Sequence, residues 1–127
     1  MASADSQARL QALTDEFQKV QQDLQTTVAA RQKLEGQKQE NTGVKNEFAS
    51  MDEDETIYKL VGPVLLKQEK QEAVSTINGR LDFIDKEIAR LEGVLKEQQE
   101  SAEKKKMEII QIQSAAQSAA AEAGKGQ

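Results

Sequence analysis

The sequence contains no cysteine, no histidine and no tryptophan, and a single proline among 127 residues. Without cysteine there is no disulfide and no thiolate zinc site. Without histidine, the usual activation of serine or cysteine nucleophiles is excluded as well. Catalysis is therefore not expected, and neither is a cofactor or a metal. The lack of cysteine fits a reducing compartment. Aromatic residues are only 3% and hydrophobic residues 37%, so the large side chains that fill a rounded core are scarce. Long apolar runs are missing too: no window approaches the ~18 residues of a membrane span, and MASADSQARLQALTDEF has no signal-like apolar stretch. The expectation is a soluble, unexported protein with no membrane partner.

What is abundant is charge, at 31% of residues, with a formal balance of -5. An acidic chain without clustered Lys and Arg is a poor phosphate neutraliser, so nucleic acid is not an expected partner. Two short stretches fail as ligand motifs. Gly124-Lys125 lacks the upstream glycine and preceding strand of a phosphate loop, and Asp52-Glu53-Asp54-Glu55 lacks the glycine and final glutamate of a calcium loop.

The apolar residues follow heptads. Leu10, Leu13, Phe17, Val20 and Leu24 alternate steps of four and three, and the count continues through Thr27, Arg31, Leu34, Lys38 and Asn41. Val44, Phe48 and Met51 follow after an extra step of three, which predicts a register slip near Asn41-Thr42-Gly43. The second arm is cleaner: Val74, Ile77, Leu81, Ile84, Ile88, Leu91 and Leu95 hold the rhythm, which runs on through Gln98, Ala102, Lys105, Ile109, Ile112 and Ala116. Asn78-Gly79 would be a turn signal in isolation, but the unbroken heptads across it predict helix. Each arm of about 45 residues corresponds to roughly 65 Å of helix.

Between the arms lies YKLVGPVLLKQ, where the period changes. Short runs rich in β-branched and aromatic residues flank Gly62-Pro63, a turn signal, and predict a β-hairpin. With an odd loop, Tyr58, Leu60, Val64 and Leu66 share one apolar face; the register decides this. An isolated hairpin is marginal in water, and this one is too apolar to stay uncovered. The arms use their apolar seams on each other. Joining hairpins of several chains, edge to edge and face to face, is the remaining way to cover it. The expected fold is mainly α: a long antiparallel two-helix coiled coil with one central β-hairpin that joins an oligomeric β-barrel. The expected bounds are a single domain over 1–127, with helices over 8–51 and 69–118, a hairpin over 56–67 and a flexible tail over 119–127.

RQKLEGQKQEN at 31–41, YKLVGPVLLKQE at 58–69 and GRLDFIDKEIARLE at 79–92 resemble the beta-class subunits of prefoldin. The resemblance covers roughly 10–113. It implies a cytoplasmic hexamer with two alpha-class and three further beta-class subunits as partners. It further implies an ATP-independent holdase that binds unfolded actin and tubulin and delivers them to the group II chaperonin. In these terms the assembly residues are Ile57, Tyr58, Leu60, Val61, Val64, Leu65 and Leu66. Client binding in the family belongs to the coiled-coil tips. Folding the chain about Gly62-Pro63 sets Phe17, Val20 and Leu24 opposite Ile109, Lys105 and Ala102, of which the last two are poor seam partners. A loosely closed tip would offer Leu10, Leu13, Phe17, Val20, Ile109, Ile110 and Ile112 to non-native segments. The rival reading is a structural coiled-coil tether without client binding.

Overall fold

The computed structural model describes residues 3–125. Its elements in chain order are helix α1 (Ala4–Ser50), strands β1 (Ile57–Val61) and β2 (Val64–Gln68), and helix α2 (Lys70–Lys125). The strands form a two-stranded antiparallel sheet.

Helix α1 starts four residues before the expected position because Ser3 caps it. The Ser3 Oγ accepts the Ser6 backbone N–H at 3.1 Å, and the Ser3 carbonyl accepts that of Gln7 at 3.0 Å. Asp5 adds a negative charge where the exposed N–H groups favour one. The other end has no basic residue in its last turn. Instead Lys70, at the start of α2, donates its ammonium to the Met51 carbonyl at 3.1 Å. That contact places a cation at the negative end of α1, while Glu72 balances the first turn of α2.

Both helices run unbroken through their internal glycines, Gly36 and Gly43 in α1 and Gly79, Gly93 and Gly124 in α2, as the heptads across Asn78-Gly79 predict for Gly79. Past Asn41, where the slip is expected, Phe48 and Met51 are half-buried and Val44 is left 39% exposed. The end of the second helix also differs from the expected one. Helix α2 continues to Lys125, seven residues past 118, through an alanine-rich stretch with the highest helix propensity. The last two residues of that tail lie outside the described residues.

The single domain expected over 1–127 resolves into two compact units, Ala30–Glu92 and Met1–Ala29 with Gly93–Gln127. Paired helices touch only their immediate neighbours, so no central core gathers the whole chain. The first is called here the hairpin unit and the second the terminal unit.

Candidate functional site

The hairpin turns on two residues. Gly62 has φ of +59°, in the left-handed region that costs glycine little, and Pro63 supplies the negative φ that follows. This is the pattern of a two-residue hairpin turn with glycine in its first central position. The register is Val61 with Val64, Leu60 with Leu65, Lys59 with Leu66, Tyr58 with Lys67 and Ile57 with Gln68.

An even loop overturns the single apolar face that an odd one would give. Residues paired across the strands share a face. One face therefore carries Tyr58, Leu60, Leu65 and Lys67, and the other carries Ile57, Lys59, Val61, Val64, Leu66 and Gln68. Apolar side chains stand on both sides. Six of the seven expected assembly residues are open: Tyr58, Leu60, Val61, Val64, Leu65 and Leu66 are between 48% and 69% exposed. Ile57 is the exception. At 8% exposure it is already buried within its own chain, so it seats the base of the hairpin and is not free for another molecule. Its cross-strand partner Gln68 is half-buried. The face of Tyr58, Leu60 and Leu65 is accordingly the more open of the two.

Below the hairpin, the helical part of its unit is closed. Ala73, Ile77, Ile84, Ile88 and Leu91 of α2 are all buried. The α1 positions on the seam include Arg31, Lys38 and Asn41, all half-buried, and the Arg31 Nε is enclosed without a hydrogen-bond partner. The Arg31 Nη2 donates to Glu92 at 2.7 Å, and the Lys38 ammonium lies 2.8 Å from Asp85. The hydrogen bond to Asp85, then its charge, raises the Lys38 pKa above the usual lysine value. The Asn41 amide donates to the carbonyl of Gln37 at 2.7 Å. As α1 advances seven residues from 31 to 38, its partner on α2 retreats seven from 92 to 85, which is antiparallel pairing in one register.

The terminal unit pairs antiparallel as well, through Lys105 and Glu16 at 3.2 Å, but it is less closed. Among its described residues only Leu13, Thr27 and Ala102 are buried. Thr27 satisfies its hydroxyl on the Asp23 carbonyl at 2.9 Å, whereas the Gln98 side-chain oxygen is shielded from solvent with no partner. Phe17, Gln21, Leu24, Gln99, Ala102, Glu103 and Lys106 line an open groove of about 330 Å³. The groove exists because Ala102 is too short to fill the space facing Phe17 and Leu24.

The expected tip residues therefore divide. Leu13 is buried in the seam and is not on offer. Leu10, Phe17, Val20, Ile109 and Ile112 are half-buried seam positions, and Ile110 is exposed. The expected tip set left out two seam residues that line the groove, Leu24 and Ala102, and also Met107, off the seam, which is 51% exposed and three positions before Ile110. The signal for Met107 was an apolar residue off the heptad. Phe83, 64% exposed on α2 of the hairpin unit, carries the same signal.

Two helices joined by one exposed hairpin have close relatives. Residues 11–116 match the family model described as Prefoldin subunit. The chain belongs to the prefoldin family. It is 42% identical over 119 residues to prefoldin subunit 6 of Bos taurus, covering 93% of this chain and 92% of that one. Against prefoldin subunit 6 of Saccharomyces cerevisiae it is 43% identical over 102 residues, 80% and 90% of the two chains. The crystal structure of the prefoldin beta subunit from Thermococcus strain KS-1 superposes with a TM-score of 0.75 at 28% identity, covering 84% of this chain and 91% of that one. The beta2 subunit from the same strain gives 0.63 at 25% identity, covering 72% and 97%. The prefoldin match spans the hairpin and most of both helices, so this chain is a chaperone subunit of the beta-class fold. No helix among the described residues is long and apolar enough to cross a membrane.

Proposed function

We propose that this chain is one subunit of a hexameric prefoldin, with two alpha-class and three further beta-class subunits as neighbours, acting in the cytoplasm as an ATP-independent holdase. The observation that carries the assembly half of this reading is the two-sided hairpin, with six large side chains 48% to 69% exposed on a two-stranded sheet. Such a sheet is marginal alone, and both its edges and both its faces are open to other hairpins.

The client half rests on the terminal unit. Phe17, Leu24 and Ala102 line the groove, and Met107 and Ile110 stand exposed further along α2, so apolar side chains are within reach of an unfolded segment. No single tip needs to bind tightly. Several weak tips held on one platform gain avidity through effective concentration. Unfolded actin and tubulin are the clients we assign, and the group II chaperonin is the recipient. No reaction on the client is needed, so the chain acts without catalysis.

The test is the native mass of the chain alone and after co-expression with the other prefoldin subunits, for wild type and a Leu60→Asp, Leu65→Asp double variant. One wild-type copy in a six-chain complex, lost in the variant while helicity persists, supports the reading. Equal incorporation of both forms, or a stable monomer indifferent to its companions, sinks it and leaves the structural tether.

A further inference from the structure

The hairpin's two edges are chemically marked. The two-residue loop makes Val61 and Val64 a hydrogen-bonded pair, so by antiparallel alternation Leu60 with Leu65 and Tyr58 with Lys67 are non-hydrogen-bonded pairs. The peptide groups of Tyr58 and Leu60 therefore point to the outer edge of β1, and those of Leu65 and Lys67 to the outer edge of β2. Both edges lack a strand partner among the described residues.

Of the ten residues in the two strands, the only charged ones are Lys59 and Lys67. They sit one on each strand and on opposite faces. Both are exposed, and neither has an ion-pair partner among the described residues. A lysine on an open strand edge discourages the strand from pairing with its like. Covering it in a joint between hairpins leaves an ammonium short of water, which is costly unless the new neighbour supplies an acceptor. A second copy of this hairpin brings two more lysines and no carboxylate in its strands; the flanking acids Glu53, Asp54, Glu55 and Glu69 line a groove with Lys67 at the open end of the hairpin without forming an ion pair with it.

We propose that Lys59 and Lys67 select this chain's neighbours: each edge takes a strand from a different subunit that carries a carboxylate beside the lysine, and a second copy of the same chain is refused. This rests on the hairpin being the assembly joint, and it deepens that reading by naming the chemistry of the adjoining strand. The lysines are specificity determinants through repulsion as much as attraction. The apolar side chains, present on both faces, supply area without choosing a partner.

The experiment uses the full chain with Lys59→Met and Lys67→Met, singly and together, which keep the stem length and remove the charge. Sedimentation equilibrium of the chain alone should show self-association of the double variant strengthened by at least about tenfold over wild type. Adding Leu60→Asp should abolish that gain, which places it in the hairpin. In competition for the companion subunits, Lys67→Glu should enter the complex at least about tenfold less well than wild type. Lys86→Glu, a charge reversal on the helix face, should enter equally. Circular dichroism checks that each variant stays helical. If the Met variants self-associate no more than wild type and Lys67→Glu enters normally, while Leu60→Asp, Leu65→Asp is shut out, the lysine selection is wrong and the hairpin joint stands. If Leu60→Asp, Leu65→Asp also enters normally, the joint itself is wrong and the selection falls with it.

Discussion

The hairpin unit and the terminal unit are both antiparallel helix pairs, yet they use their two helices in opposite ways. In the hairpin unit α2 supplies the apolar row of Ile77, Ile84, Ile88 and Leu91, all buried, and the α1 seam mixes Leu34 and Phe48 with the polar Arg31, Lys38 and Asn41. In the terminal unit α1 supplies Leu10, Leu13, Phe17, Val20 and Leu24, and the α2 seam mixes Leu95, Ile109 and Ile112 with Gln98, Ala102 and Lys105. The difference lies in the covering residues. Arg31 and Lys38 have stems long enough to close over an isoleucine and ends that find Glu92 and Asp85. Ala102 has no stem, and Phe17 and Leu24 stay half open above a groove. A seam with polar positions is therefore not loose for that reason alone; it is loose where the covering side chain is short.

The largest effect should separate the units by stability. Ile84→Ala removes a buried side chain from the closed row and should cost about 2–4 kcal/mol in urea unfolding. Leu24→Ala, at a half-open position, should cost about 1 kcal/mol or less. Equal costs would erase the comparison. Next, Ala102→Leu should fill the groove and gain about 1 kcal/mol. Hydrogen exchange should then slow over 13–28 and 95–112, and retention of an unfolded client should fall, with exchange over 77–91 unchanged. A client held as firmly as before would mean that the groove is not the binding surface.

Gln98→Leu is expected to act in the same direction by about 1 kcal/mol, because it removes a shielded oxygen with no hydrogen-bond partner. Thermal unfolding followed at 222 nm reads it. Smaller again is Glu16→Gln, which breaks an exposed ion pair with Lys105 and should shift stability by about 0.5 kcal/mol, less at high salt. The smallest effect below pH 9 concerns Lys38. Its pKa is raised in the folded chain, first by the hydrogen bond to Asp85. A raised lysine contributes stability that is complete below its unfolded value and is lost as pH rises through the folded one. Removing the pair with Lys38→Met should therefore leave the shape of the stability profile unchanged between pH 6 and 9. A difference should appear only on alkaline titration.

The heptads made most of this legible. Every seam position read on α2 from Val74 to Ala116 is buried or half-buried, because a 3-4 rhythm fixes a helix face whatever lies opposite. The hairpin was equally readable from the change of period around Gly62-Pro63. Three features were not. Val44 belongs to the apolar pattern of α1, four residues before the half-buried Phe48 and on the same side of the helix, yet it is left exposed, which the spacing along one helix does not record. The alanine-rich end of α2 looks like a tail by composition and is helix by propensity. The loosened region was expected at Lys105 and Ala102 together. Lys105 instead reaches Glu16 with its ammonium, and the groove belongs to Ala102.

By itself the sequence determined the inventory and the period: no residues for thiol or imidazole chemistry, two amphipathic arms, one apolar hairpin at the midpoint and the prefoldin resemblance. Those follow from which side chains are present and how far apart they stand along one chain. Only the tertiary structure decided what depends on a second strand or helix. The two-residue turn put apolar side chains on both faces of the hairpin, because cross-strand register is a property of two strands and an even loop pairs Leu60 with Leu65. The same holds for Ile57, turned inward while its neighbours stay open, and for the groove at Ala102. Burial there is set by the length of the side chain across the gap, which no single helix records.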